Sequence, residues 1–131
     1  MSPATGSSAA LFQVVGAVGS QAALMPPQTI TATISGSAVD ILDFDGLLHV
    51  IQSIGAVTAA TCVGNIQTSA DGSTGWTQVT NASFVNVTTA NNIQVLTLDT
   101  AMCQRFIRWQ STTPGTSVVI SVTCTGIKKV R

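Results

Sequence analysis

Val118, Ile120, Val122 and Cys124 alternate along the chain with mostly hydroxyl side chains. Residues two apart share one face of a strand but fall on opposite sides of a helix, so this alternation commits the segment to a half-buried β-strand. Ile30, Ala32 and Ile34 repeat the pattern against Thr31, Thr33 and Ser35, and Gly36 ends it. Residues 47–54 are apolar at both parities apart from His49, Gln52 and Ser53, which predicts a central strand covered on both faces. Residues 61–69 set Cys62 and Ile66 against Thr61, Asn65 and Gln67. Short strands are expected over 76–79, 84–88 and 105–110. In 93–98 the apolar parity changes between Val95 and Leu96, which predicts a bulge or burial on both faces. Asp71-Gly72 and Pro114-Gly115 are turn signals.

Seven or eight short strands at intervals of about 8–12 residues, with no long helical period, predict an all-β chain folded as a single antiparallel β-sandwich. Thr and Val suit it, because β-branched side chains fit a pleated surface and are poor in helices. Periodicity leaves the strand order open between a jelly roll and an immunoglobulin-like arrangement. A length of 131 residues matches one domain of the commonest size.

Only 8% of the residues are charged, five basic and five acidic, for a net charge of zero; an ordinary globular protein carries roughly 25%. There is no basic stripe to neutralise phosphates, so nucleic acid is not an expected partner. Hydrophobic content of 45% and mean hydropathy of +0.45 oppose disorder. The surface is left to Thr, Ser, Asn and Gln, which lack the repulsion that keeps proteins apart in solution. Such a chain is expected to live in an assembly. Cys62, Cys103 and Cys124 are widely spaced with no C-x-x-C. They read as free, mostly buried thiols, with one disulfide as the alternative and no zinc site.

Residues 9–25 are largely apolar but interrupted by Gln13, Gly16, Gly19, Ser20 and Gln21, and no Lys or Arg precedes them. They lack the positive region of a signal peptide and barely supply the roughly 20 apolar residues of a spanning helix, so no membrane partner is expected. Pro26-Pro27 stops any helix. Residues 1–28 are read as an extended N-terminal arm before a sandwich domain of 29–131, with an edge strand or a disordered tail as equal alternatives. Leu11, Phe12, Val14 and Val15 are the arm's candidate contacts to a neighbour, and removal of residues 1–25 is expected to leave a folded domain.

The chain contains no Glu and a single His, His49. General acid–base chemistry needs titratable groups in a cleft, so no enzymatic activity, catalytic residue or cofactor is expected. Asp40, Asp43 and Asp45-Gly46 have spacing like a calcium loop but lack the closing Glu, and a solvated loop is the default, with no metal site expected. Trp76 and Trp109 are expected in the core, a sugar-stacking platform being the alternative for Trp76. Arg105 and Arg108 flank Phe106 and Ile107, which predicts opposite faces and leaves one for an interface.

Two segments resemble a known family. Residues 67–79, with Ser69-Ala70-Asp71-Gly72 followed by Trp76-Thr77-Gln78-Val79, and then Arg105-Phe106-Ile107-Arg108-Trp109, are similar to the small β-sandwich virion proteins of tailed bacteriophages. In that group a strand ends in Ser-x-Asp-Gly, a turn leads to Trp-x-x-Val, and a later strand carries Arg-aromatic-Ile-Arg. The likeness covers roughly residues 38–126 and departs in having three residues between Gly72 and Trp76 where two are usual.

The resemblance implies a structural, non-enzymatic role on a virion. The expected role is that of a capsid decoration (cement) protein, a homotrimer bound to the outer surface of the major capsid protein shell and assembled in the host cytoplasm. Trp76, Arg105 and Arg108 are candidate partner-binding residues, and Lys128, Lys129 and Arg131 candidate contacts to an acidic surface. The alternative is a tail, neck or fibre-associated adaptor or adhesin that holds glycans through Trp76.

Overall fold

The computed structural model describes residues 18–112 and 115–128, with side chains placed for 21–111 and 116–128. Nine strands follow in order among the described residues: β1 (Val18–Ile30), β2 (Ile34–Ser35), β3 (Val39–Asp40), β4 (Phe44–Ala60), β5 (Val63–Ser69), β6 (Thr77–Ser83), β7 (Asn92–Asp99), β8 (Phe106–Thr112) and β9 (Gly115–Lys128). The helical element among them is a 3-10 turn, Thr100–Met102, which Asp99 caps by accepting from Ala101 N at 2.9 Å.

The strands form two antiparallel sheets packed as a β-sandwich. Sheet 1 has the order β1-β9-β4-β7, and sheet 2 has β2-β8-β5-β6 with β3 also pairing β8. Because β2 and β3 both pair β8, they act as two pieces of one strand position. Each sheet then has four positions, and most connections cross between sheets. This is the double Greek key of a jelly roll, which settles the order that periodicity left open. An immunoglobulin-like order keeps its first two strands in one sheet, and here β1 and β2 lie in different ones.

The core lies between the layers. Leu48, Val50, Ile54, Val118, Ile120 and Val122 point inward from sheet 1 and meet Ile66, Ile107 and Trp109 of sheet 2. Burying each such side chain contributes about 1.5–3 kcal/mol. Gln52 stands at an inward position of β4, fully buried, and accepts a hydrogen bond from Trp109 Nε1 at 3.0 Å.

Several expectations change. Strand β1 runs through the proposed boundary at residue 28 and pairs β9 from Val18 to Ile30, so residues 18–30 take the edge-strand alternative. Pro26 and Pro27 sit where two residues of β1 oppose one of β9, Ser121, a bulge on an edge strand, where a missing N–H is tolerated. Leu24 and Met25 are buried, so a cut after residue 25 would remove part of the core. Leu11, Phe12, Val14 and Val15 lie outside the described residues.

Residues 84–88 form no strand, only a bridge between Val87 and Cys62. Strand β7 has no bulge: its register against β4 is unbroken from Leu47↔Asp99 to Ile54↔Asn92. The parity change arises because Leu96 and Leu98 face the core while Ile93 and Val95 face outward, 71% and 61% exposed.

Candidate interaction surface

The second sheet turns a set of aromatic and guanidinium groups outward. In β8, Ile107, Trp109 and Ser111 are buried, so Phe106, Arg108 and Gln110 take the opposite face. Register pairs Arg108 with Gln67 and Gln110 with Asn65 of β5. Arg108 Nε donates to Gln67 Oε1 at 2.7 Å, and its guanidinium carbon lies 4.3 Å from the centre of the Trp76 ring. The indole and the amide together hold this side chain in one orientation. Among the described residues no ion pair joins Arg108 to a carboxylate. Partial burial draws its pKa down, the direction expected when a cation loses hydration without gaining an anion.

Trp76 is therefore half-buried beneath Arg108 on the outer surface and not in the core, while Trp109 is fully buried as expected. Trp76 comes just before β6, after the turn that begins at Asp71. The Asp71 carboxylate organises that turn by accepting from Ser73 N and Thr74 N, each at 2.9 Å, from Thr74 Oγ1 at 2.9 Å and from Ser69 Oγ at 3.0 Å. Hydrogen bonds from the Thr74 and Ser73 amides, then from the two hydroxyls, hold its carboxyl well below the usual range. Gly72 has φ of +78°, and a Cβ there would stand 3.1 Å from the Phe106 ring. Glycine thus permits both the left-handed turn and its close approach to β8.

Arg105 belongs to the bend before β8, where strand alternation does not apply. Its guanidinium is 5.2 Å from the centre of the Phe106 ring and makes the salt bridge Nη2–Oδ2 with Asp40 at 2.8 Å. The expected division of the two arginines by strand faces is replaced by a division of partners: Arg105 holds a carboxylate, and Arg108 an amide and an indole. Asp40 is held below its usual range chiefly by Arg105 and then by the Leu42 amide. The described residues hold no group of three or more His, Cys, Asp or Glu side chains arranged for a metal ion. Asp40 and Asp43 instead both favour the charge of Arg105, Asp40 more strongly.

His49 faces outward from β4 with Nδ1 3.2 Å from Thr97 Oγ1. A groove of about 370 Å³ at one end of the sandwich is lined by Ile41, Phe44, Asp45, Cys103 and Arg105 among others. Cys62 and Cys124 are buried, Cys103 is half-buried, and all three are free thiols. No helix among the described residues is long and apolar enough to cross a membrane.

Sequence reading missed Gln52, whose signal was one amide at the inward parity of Leu48, Val50 and Ile54. It also missed the outward apolar residues of β7, since two apolar faces and a bulge give the same pattern.

No protein-family model matches the sequence, and no curated protein matches it. A chain in the structure of infectious bursal disease virus, Gt strain, superposes with a TM-score of 0.52 at 11% identity, over 98% of this chain. This chain spans 41% of that neighbour's length. What the likeness establishes is the fold: a sandwich of this kind recurs within a longer chain of a virus structure.

Proposed function

We propose that the chain is a structural virion protein without enzymatic activity, a capsid decoration protein that binds the outer surface of the major capsid protein shell and stabilises capsomer junctions. The observation that carries this reading is the jelly-roll strand order, an arrangement used by viral capsid domains. The fold likeness to a chain of a virus structure supports it. The finer assignment draws on the phage-type motifs, whose residues lie together: the Asp71 turn packs on Phe106, and Trp76 lies under Arg108.

Decoration works by number. Each copy buries modest surface on two or more capsid subunits, and many weak contacts act together through multivalency. Arg108 and Trp76 are suited to anchor one contact, because a pre-oriented arginine beside an aromatic ring is a frequent interface hot spot. Leu11, Phe12, Val14 and Val15 would supply a second contact from the chain preceding β1. The protein acts as a homo-oligomer on the capsid surface after assembly in the host cytoplasm, without nucleic acid or membrane partners.

The alternative, a tail, neck or fibre adaptor that stacks sugars on Trp76, has less support because Arg108 covers one face of that ring. The test is co-sedimentation with shells of the major capsid protein that lack this chain. Wild-type protein should saturate them at a simple ratio. Arg108→Glu with Trp76→Ala, and separately removal of residues 1–17, should each lower occupancy while leaving the sandwich folded. Unchanged occupancy in both would reject the reading.

A further inference from the structure

Among the described residues nothing covers the outward face of sheet 1, and that face is almost without charge. Five large apolar side chains project from its strands: Leu47 (53% exposed), Ile93 (71%), Val95 (61%), Val119 (40%) and Ile127 (46%). Across the middle, Val95 neighbours Ile51, and Ile51 neighbours Thr123. The described strands of this sheet contain three charged residues, Asp45, Asp99 and Lys128. Register places all three at one end, since Leu47 pairs Asp99, Ile127 pairs Asp45 and Lys128 pairs Phe44. At the other end lies a groove of about 320 Å³ lined by Pro27, Gly55, Asn91, Ile93 and Val119 among others.

We propose that this face is a self-association surface on which a second copy of the chain packs its own sheet 1, about a two-fold axis perpendicular to the strands. The distribution of charge selects the occupant. A basic or acidic partner finds no opposite charge over the middle of the face, whereas a second copy brings an equally neutral surface. This axis sets the charged end of each copy beside the groove end of the other, so neither Asp45 nor Asp99 faces its symmetry mate. Leu47 then reaches the groove of the second copy, twice per pair, and Gly55 leaves that groove without a side chain on its floor. Four strands about 4.8 Å apart over eight paired residues cover roughly 500 Å² per copy, or about 1,000 Å² for the pair, where specific interfaces begin. The five exposed apolar side chains share this face with the polar residues His49, Ser53, Thr97 and Thr123, and exposed apolar surface rimmed by polar residues marks an interaction site.

The inference does not depend on the virion reading. An isologous contact closes as a dimer, in place of the trimer expected from the resemblance.

The test is sedimentation equilibrium of the full chain over a concentration series. Wild-type protein should show a monomer–dimer equilibrium. Val95→Lys buries an unpaired cation in the pair and should raise the dissociation constant by about tenfold or more. Leu47→Ser should act in the same direction, and Val63→Lys, on sheet 2, should leave the constant unchanged. The near-ultraviolet circular dichroism of Trp109 verifies that each variant is folded. If Val95→Lys unfolds, Leu47→Ser provides the reading. A monomer at every concentration, a trimer, or a dimer that survives the sheet 1 substitutions would overturn the proposal.

Discussion

Trp109 Nε1 donates to Gln52 Oε1 at 3.0 Å across the interior of the sandwich, tying β8 of one sheet to β4 of the other. Both residues are fully buried. The bond satisfies the indole, which could not otherwise lie in an apolar layer without cost, and it fixes how the two sheets stand against each other.

Gln52→Leu keeps the approximate volume but leaves the indole N–H unpaired. It should lower unfolding free energy by about 1–3 kcal/mol, read as a shift in urea midpoint with an unchanged slope.

Gly64 makes room for this bond, because a Cβ at that position would overlap Gln52 Oε1 and Trp109 Nε1. Gly64→Ala should destabilise by about 1–3 kcal/mol. In a Gln52→Ala background the penalty should shrink, since one of the colliding groups is gone. A double-mutant cycle measures that coupling; additive losses would mean that the glycine is needed for another reason.

Asp40 and Asp71 both have folded-state pKa values below the ordinary range. Their stabilising contribution is present above the unfolded carboxylate value of about 3.9 and is lost as pH falls through the lower folded values. Unfolding midpoints should therefore drop between neutral and strongly acidic pH. Asp71→Asn should flatten part of that decline. An identical acid profile in the variant would show that the turn's hydrogen bonds do not contribute.

Burial raises the thiol pKa of Cys62, Cys103 and Cys124, with the nearby Asp99 carboxylate raising that of Cys103 further. A maleimide should react with native protein slowly and at Cys103 alone, faster as pH rises, and with all three cysteines in denaturant. Peptide mapping after timed labelling checks this.

Arg108→Ala removes the cation over Trp76 and should cost about 0.5–1 kcal/mol of stability, accompanied by a change in Trp76 fluorescence. Shell binding should fall much more than stability does. Equal losses of both would reduce Arg108 to a structural residue.

Alternation at Val118, Ile120, Val122 and Cys124, and at Cys62 and Ile66, made the strands legible because one face of each meets the core. Phe84 and Val87 are also buried, but in a connection without strand pairing beyond the bridge at Val87, and burial alone does not give a segment its partner. Trp76 and Trp109 both stand near short strands, so local sequence does not separate a core indole from one lying under Arg108. The neighbours that decide, Arg108 for Trp76 and Gln52 for Trp109, are distant along the chain. For the same reason the motif residues around Asp71 and Arg108 were visible, while their assembly into one surface depended on the β5–β8 register.

The virion role is tested most directly by the copy number of this chain in purified particles, measured by quantitative mass spectrometry against the major capsid protein. Hundreds of copies in a simple ratio to the shell protein are predicted on symmetry grounds. A handful of copies would assign the chain to a neck or tail, and its absence from particles would contradict the account.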